Sequence, residues 1–226
     1  VIDGAGPYIF GQANGWPAMS MIDLESFRAK KLESDPFPYL VLENFVRPDV
    51  AAEIERDFPD IAKGGSYDLS TVSPGPAMQA LIEELRGDAV REAFADKFGI
   101  DLTDRPTTFT LRGMSREKDG RIHTDSKTKL ITVLIYLNRD WQDGAEGGRL
   151  RMLRSSSDLE DYVAEVPPGF GTMVAFKCVE NAWHGHKPFV GQRRSIQLNW
   201  VVSEEAVAAS RSRHRISAFF KKLLPV

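Results

Sequence analysis

The sequence predicts an α+β fold in which a mostly antiparallel β-sandwich or jelly roll is braced by helices. Three observations support this prediction. Segments with helical periodicity lie before residue 106 and after residue 203, and the stretch between them differs in composition. That stretch contains five short runs rich in β-branched and aromatic residues, separated by turns that contain glycine or proline. Helices followed by a series of short strands are typical of this fold class.

The helical elements come first. The segments "DLESFRAKKLES" (23–34) and "RPDVAAEIERDFP" (47–59) are helix-like, and Pro48 suits an early helical position. Between them, "PYLVLENFV" (38–46) predicts a strand. The segment 77–99 predicts a helix that ends at Gly99, with Gly87 as a candidate break. The last segment, 204–226, predicts a basic amphipathic helix that packs on the body or stays solvated rather than binding a membrane surface.

The strand candidates follow in the second half of the chain. They are "TTFTLRGM" (107–114), "KLITVLIYLN" (129–138), "GGRLRML" (147–153), "GTMVAFK" (171–177) and "RRSIQLNWVV" (193–202). We therefore predict a single domain over residues 21–226, with helical support over 21–105, a jelly-roll core over 106–203 and a C-terminal helix over 204–226. Residues 1–20 are interpreted as a leader that is either non-native or disordered.

Composition excludes several classes of protein. The 226 residues carry a formal net charge of −3 without a basic stripe, which disfavours nucleic-acid binding. No run approaches the ~20 apolar residues that span a membrane. The single cysteine, Cys178, cannot form an intramolecular disulfide, and this favours a reducing, cytoplasmic setting.

A candidate metal site begins with the segment "HTD". On an extended chain, His123 and Asp125 project to the same face because they are two residues apart. Such a pair also arises by chance, so it needs a third ligand. His184 and His186 lie between two predicted strands, and antiparallel topology can bring either of them to the pair. Two imidazoles and one carboxylate form the facial triad of non-haem Fe(II) oxygenases.

Six motifs in order give the chain a wider resemblance. They are "HTD" (123–125), "YLN" (136–138), "W…GGRL" (141–150), "PPGFG" (167–171), "WHGHKP" (183–188) and "RRS" (193–195). Their order and spacing over residues 106–202, with weaker similarity over 36–58, resemble the Fe(II)- and 2-oxoglutarate-dependent dioxygenases, especially the prolyl-4-hydroxylase-like branch. The resemblance implies a double-stranded β-helix, the jelly-roll core also found in cupins.

The resemblance also implies roles for individual residues. His123, Asp125 and His184 are the implied iron ligands and catalytic centre. Arg193 is the implied partner of the distal carboxylate of 2-oxoglutarate, for which a planar, always-charged guanidinium is suited, and Tyr136 is expected to donate to the same carboxylate.

Two assignments stay open at this point. His186 could replace His184 as the metal ligand, and Arg194 could replace Arg193 if a bulge shifts the strand. Strand parity favours Arg193, which alternates with the apolar positions of its strand.

The implied reaction is hydroxylation of an unactivated C–H bond coupled to oxidation of 2-oxoglutarate to succinate and CO2. It would use Fe(II), 2-oxoglutarate and O2, with ascorbate as a candidate cofactor. The substrate would be a small molecule, an amino acid or a peptidyl proline. A non-catalytic jelly-roll binding module and a zinc-dependent hydrolase with the same triad are the alternatives. The chain departs from its relatives in the loop 113–121, which lacks a tyrosine that some of them use, and in a longer excursion over 153–165.

Overall fold

The computed structural model describes residues 20–141 and 147–212. The predicted leader therefore lies outside the described residues except for Ser20. Of the predicted C-terminal helix, residues 204–212 are helical and the remainder lies outside the described part. Within the described residues, no helix is both long enough and apolar enough to cross a bilayer.

Among the described residues, four α-helices that precede residue 99 brace the strands. They are α1 (Leu24–Ala29), α2 (Ala51–Asp57), α3 (Pro76–Arg86) and α4 (Asp88–Phe98). Gly87 breaks the long helical segment as expected: its extended backbone ends α3 and begins α4. Gly99 ends α4 in the left-handed conformation (φ 59°), which glycine adopts without a steric penalty.

The described part of the chain contains nine strands, which form two antiparallel sheets. They are β1 (Tyr39–Leu42), β2 (Tyr67–Asp68), β3 (Thr107–Ser115), β4 (Lys129–Tyr136), β5 (Leu150–Leu153), β6 (Tyr162–Val166), β7 (Met173–Lys177), β8 (His184–Gly185) and β9 (Gly191–Val201). The larger sheet has the order β1-β7-β4-β9-β3-β2 and the smaller one β6-β5-β8. Three of the strands, β2, β6 and β8, were not predicted. The predicted jelly-roll fold is nevertheless confirmed.

The alternation along β4 and β9 places the core. Ile131 and Ile196 belong to a large apolar cluster that includes the helices, where Phe94 packs between Phe27 (ring centroids 4.2 Å apart) and Trp200 (5.0 Å). The opposite face of β4 and β9 turns towards the smaller sheet. A second and smaller apolar cluster lies on that side. Polar side chains occupy part of that inner face, and this is where the candidate site lies.

Candidate metal centre and co-substrate pocket

His123, Asp125 and His184 converge between the two sheets. One potential ligand atom from each lies within 4.8 Å of the others. Among the described residues, this is the one group of three His, Cys, Asp or Glu side chains that could hold a metal ion. The backbone explains how residues so far apart in sequence meet. His123 and His184 form an isolated antiparallel bridge, in which the amide of each donates to the carbonyl of the other at 3.0 Å.

Hydrogen bonds to the backbone orient both imidazoles. Nδ1 of His123 lies 2.8 Å from the carbonyl oxygen of Arg121, and Nδ1 of His184 lies 2.9 Å from that of Ala182. A carbonyl oxygen can only accept, so Nδ1 carries a proton in each ring, and Nε2 is the nitrogen that a metal would bind. Burial lowers the pKa of His184 to about 4, which keeps this ring neutral at physiological pH.

Asp125 is held as a carboxylate. Lys129 Nζ donates to Oδ1 at 2.9 Å, and the Thr132 hydroxyl donates to Oδ2. Burial disfavours the charged form, but the charge of Lys129 and the hydrogen bonds from Thr132 and Lys129 outweigh it, so the pKa of Asp125 lies below its usual range. An ionised carboxylate is the form that binds a cation.

His186 does not join this group. Its amide donates to the carbonyl of Gly120 at 2.8 Å, and its Nδ1 lies 2.8 Å from the carbonyl oxygen of Lys187. The ring packs directly over Gly120, where a Cβ would lie 2.4 Å from it. The geometry thus brings His184, and not His186, to the other two side chains.

Arg193 lies on the inner face of β9, as strand parity predicted. Its side chain is buried, donating from Nε to the carbonyl of Gly148 at 2.7 Å and from Nη2 to the Tyr136 hydroxyl oxygen at 3.1 Å. Among the described residues, no carboxylate lies within ion-pair distance of Arg193. Because the Tyr136 oxygen accepts this bond, its own proton remains available to a ligand. Arg194 points to the other face, over the Phe58 ring at 5.2 Å.

Tyr136 is fully buried at the end of β4. Burial raises the pKa of its hydroxyl, although the neighbouring charge of Arg193 opposes the shift. Tyr136 is therefore a neutral donor at physiological pH. Together with Arg193 it forms a donor pair suited to a carboxylate.

One pocket joins these groups. Its wall includes the three converging residues, Arg193, and a set of further side chains: Ser66, Thr110, Arg112, Gly120, Thr132, Leu134, Leu150, His186, Ser195 and Gln197. The sequence singled out neither Arg112 nor Thr132. Both sit on the inner face of their strands, so strand parity alone was the signal that could have found them.

Comparisons with known proteins agree with this geometry. Residues 110–202 match the model of the 2OG-Fe(II) oxygenase superfamily. A prolyl-4-hydroxylase from Pseudomonas putida is similar in structure, with a TM-score of 0.54, 19% identity, and 80% of this chain and 94% of that chain covered. A viral collagen prolyl hydroxylase from Paramecium bursaria Chlorella virus-1 in complex with 2-oxoglutarate has a TM-score of 0.53 at 15% identity, covering 75% of this chain and 98% of that one.

A third solved structure is also similar. An oxidoreductase of the 2OG-Fe(II) oxygenase family from Burkholderia pseudomallei has a TM-score of 0.51 at 14% identity, covering 79% of this chain and 90% of that one. No curated protein matches the chain. The structural likenesses show the shared fold, and the family match confirms the resemblance found in the sequence.

Proposed function

We propose that this chain, a 2-oxoglutarate/Fe(II) oxygenase with the superfamily module at residues 110–202, hydroxylates an unactivated C–H bond of its substrate. One observation supports the proposal most strongly. A His–Asp–His cluster shares a pocket with a buried guanidinium that has no carboxylate partner among the described residues. The cluster suits a divalent metal, and the guanidinium suits the anionic end of a co-substrate.

The donor set fits Fe(II). His123 and His184 would offer Nε2, and Asp125 would offer an oxygen, leaving the remaining positions of an octahedral ion for other ligands. The backbone carbonyls behind the two rings, and Thr132 behind the carboxylate, fix the ligands before the metal arrives. When bound, the metal supplies the activation of O2 that oxidation of a C–H bond requires.

Arg193 and Tyr136 would bind the distal carboxylate of 2-oxoglutarate. Arg193 lines one end of the pocket, and Tyr136, on the adjacent strand β4, contacts it with its hydroxyl 3.1 Å from Arg193 Nη2. Their burial excludes water from that end, and this strengthens a charge-assisted hydrogen bond. Held there, the co-substrate would point its keto-acid end towards the metal ligands.

The two alternative functions, a zinc hydrolase and a non-catalytic binding module, account for fewer of the pocket residues. A zinc hydrolase with the same triad has no use for a buried cation and phenol beside the metal. A binding module without turnover has no need for three ordered metal ligands. We therefore favour the oxygenase over both.

The test is succinate formation from 2-oxoglutarate under air. We expect succinate only when Fe(II) is added, with Zn(II) unable to replace it, and no succinate from His184→Ala. His186→Ala is the matched control, since its ring lies in the same pocket but outside the cluster. This variant should still form succinate when Fe(II) is added, even without the compound to be hydroxylated. No succinate with Fe(II), together with a hydrolytic activity that Zn(II) supports without 2-oxoglutarate, would contradict the proposal and favour the hydrolase.

The substrate is proposed at the level of its class. A small molecule, a free amino acid or a peptidyl proline would each offer a suitable C–H bond, and two of the similar structures are named as prolyl hydroxylases. Ascorbate as a reductant and a cytoplasmic location remain predictions from the sequence.

A further inference from the structure

A second guanidinium lines the same pocket. Arg112 lies on the inner face of β3, where it pairs in register with Ser195 of β9. Arg193 is two residues from Ser195 on the same face. Arg112 is therefore displaced from Arg193 by roughly 6.6 Å along the strand and about 4.8 Å across the sheet. Arg112 and Tyr136 pair with Ser195 from opposite sides of β9, so Arg112 flanks the co-substrate site on the side away from Tyr136.

The positive charge of Arg112 is only partly compensated. Its Nη1 lies 3.2 Å from Asp119 Oδ2, and its Nη2 donates to the Ser66 hydroxyl at 3.0 Å. Asp119 is already bound by Arg116, through Nη2 to Oδ1 at 2.8 Å, Nε to Oδ2 at 3.2 Å and the backbone amide to Oδ2 at 3.0 Å. One carboxylate thus serves two guanidiniums, so the cluster has an excess positive charge at the pocket wall.

Burial makes this charge significant. Only 27% of the Arg112 side chain is exposed. Burial and the nearby charge of Arg193 lower the pKa of Arg112, while Asp119 opposes the shift. A desolvated cation without its own counter-ion is stabilised by an anion that enters the pocket.

A surface groove borders the pocket that Arg112 lines. A groove formed by residues 117–121, Leu159 and Pro188 shares Gly120 and His186 with the wall of the pocket. Asp119, the partner of Arg112, lines that groove as well. A substrate group that pairs with Arg112 would share the pocket with the metal ligands, and the rest of the substrate could extend towards this groove.

We propose that the substrate carries an anionic group, a carboxylate or a phosphate, which pairs with Arg112 while 2-oxoglutarate occupies the Arg193 end. This inference rests on the proposed function and narrows its substrate to anionic compounds. The oxygens of either group match the fork of a guanidinium. Neutral residues within a peptide chain would leave the excess positive charge of this cluster uncompensated.

The test is calorimetric titration of the protein loaded anaerobically with Fe(II) and then with 2-oxoglutarate. The probes are L-proline, L-leucine and hexanoate, each compared with its primary amide, and glycerol 3-phosphate compared with glycerol. We expect at least one anion to bind the wild type about tenfold or more tightly than its neutral counterpart. We expect that preference to fall to about one in Arg112→Gln, with the affinity for 2-oxoglutarate changed by less than threefold.

Arg116→Gln is the matched control. It leaves Asp119 to Arg112 alone, which reduces the excess charge, but Arg116 does not line the pocket, so the preference for the anion should fall much less than in Arg112→Gln. A preference for glycerol 3-phosphate alone would assign phosphate as the group, and a preference for the acids would assign carboxylate. Thermal melting of both variants verifies that they are folded.

Three results would overturn the inference: no probe prefers its anionic form, Arg116→Gln abolishes the preference equally, or Arg112→Gln chiefly weakens 2-oxoglutarate binding. The titration with 2-oxoglutarate, which comes first, distinguishes failure of this inference from failure of the proposed function. If 2-oxoglutarate does not bind, the oxygenase proposal fails. If it binds and the acids do not, only the inference about Arg112 fails.

Discussion

Replacing Arg193 by glutamine tests the co-substrate assignment. Arg193 is 4% exposed and donates to Gly148 and Tyr136. A hydrogen bond to a charged group contributes about 1.5–3 kcal/mol, so Arg193→Gln should raise the KM for 2-oxoglutarate roughly ten- to hundredfold. Tyr136→Phe removes one hydroxyl, worth about 0.5–1.5 kcal/mol, and should raise the same KM by roughly two- to twelvefold.

The effect on stability should separate binding from folding. Because Arg193 is buried without a carboxylate partner among the described residues, Arg193→Gln should leave the melting temperature of the ligand-free protein unchanged or slightly raised. At a concentration 100 times the wild-type Kd, 2-oxoglutarate should stabilise the wild type by about 2.7 kcal/mol. A hundredfold weaker Kd would leave about 0.4 kcal/mol for the variant at the same concentration.

The assay is succinate formation across a range of 2-oxoglutarate concentrations, paired with thermal melts. Arg194→Gln is the control, since Arg194 is next in sequence but faces Phe58 on the other side of the sheet. A KM for 2-oxoglutarate that changes less than twofold in Arg193→Gln would refute the reasoning. An equal increase in Arg194→Gln would do so too.

Three further perturbations address the metal site and the fold. Thr132→Val removes the hydroxyl that donates to Asp125, and the affinity for Fe(II) in anaerobic titration should fall by about tenfold or more; an unchanged affinity would exclude this supporting role. Asp57→Ala removes a carboxylate that accepts the Ala77 amide at 2.7 Å at the start of α3, so the free energy of unfolding at pH 7 should fall by about 1–2 kcal/mol. The hydrogen bonds to Asp57 hold its pKa below the usual value, so its contribution is present above about pH 4 and is lost as the pH falls through the lower folded-state pKa; denaturant curves should show wild type and variant converging in acid. Phe94→Ala should lower the unfolding free energy by about 3–5 kcal/mol, and a loss below about 1 kcal/mol would mean that the helices do not brace the sheet through this ring.

The long elements and their faces were readable from sequence. The periodicity of residues 77–99 predicted the helical segment, and Gly87 and Gly99 act as its break and its end for the expected backbone reasons. The alternation along β9 placed Arg193 on the inner face and Arg194 on the outer one. A period of two leaves little freedom once one face is apolar.

The elements that sequence missed depend on distant partners. The two-residue strands β2 and β8 exist only through pairing with β3 and β5, and no local propensity marks them. β6 lies in a polar, charged stretch. There Arg151 Nε donates to Glu165 Oε1 at 2.7 Å, a contact between strands that the sequence does not indicate. The role of Arg112 in the pocket wall was missed for the same reason. Its strand was predicted, but only the pairing of that strand with β9 shows that Arg112 faces inwards.

Anomalous diffraction at the iron edge, from a crystal soaked anaerobically with Fe(II), tests the metal centre most directly. We predict one strong peak within bonding distance of Nε2 of His123, Nε2 of His184 and a carboxylate oxygen of Asp125. A peak located at His186 instead, or no peak in a crystal whose iron uptake has been verified by elemental analysis, would contradict the account.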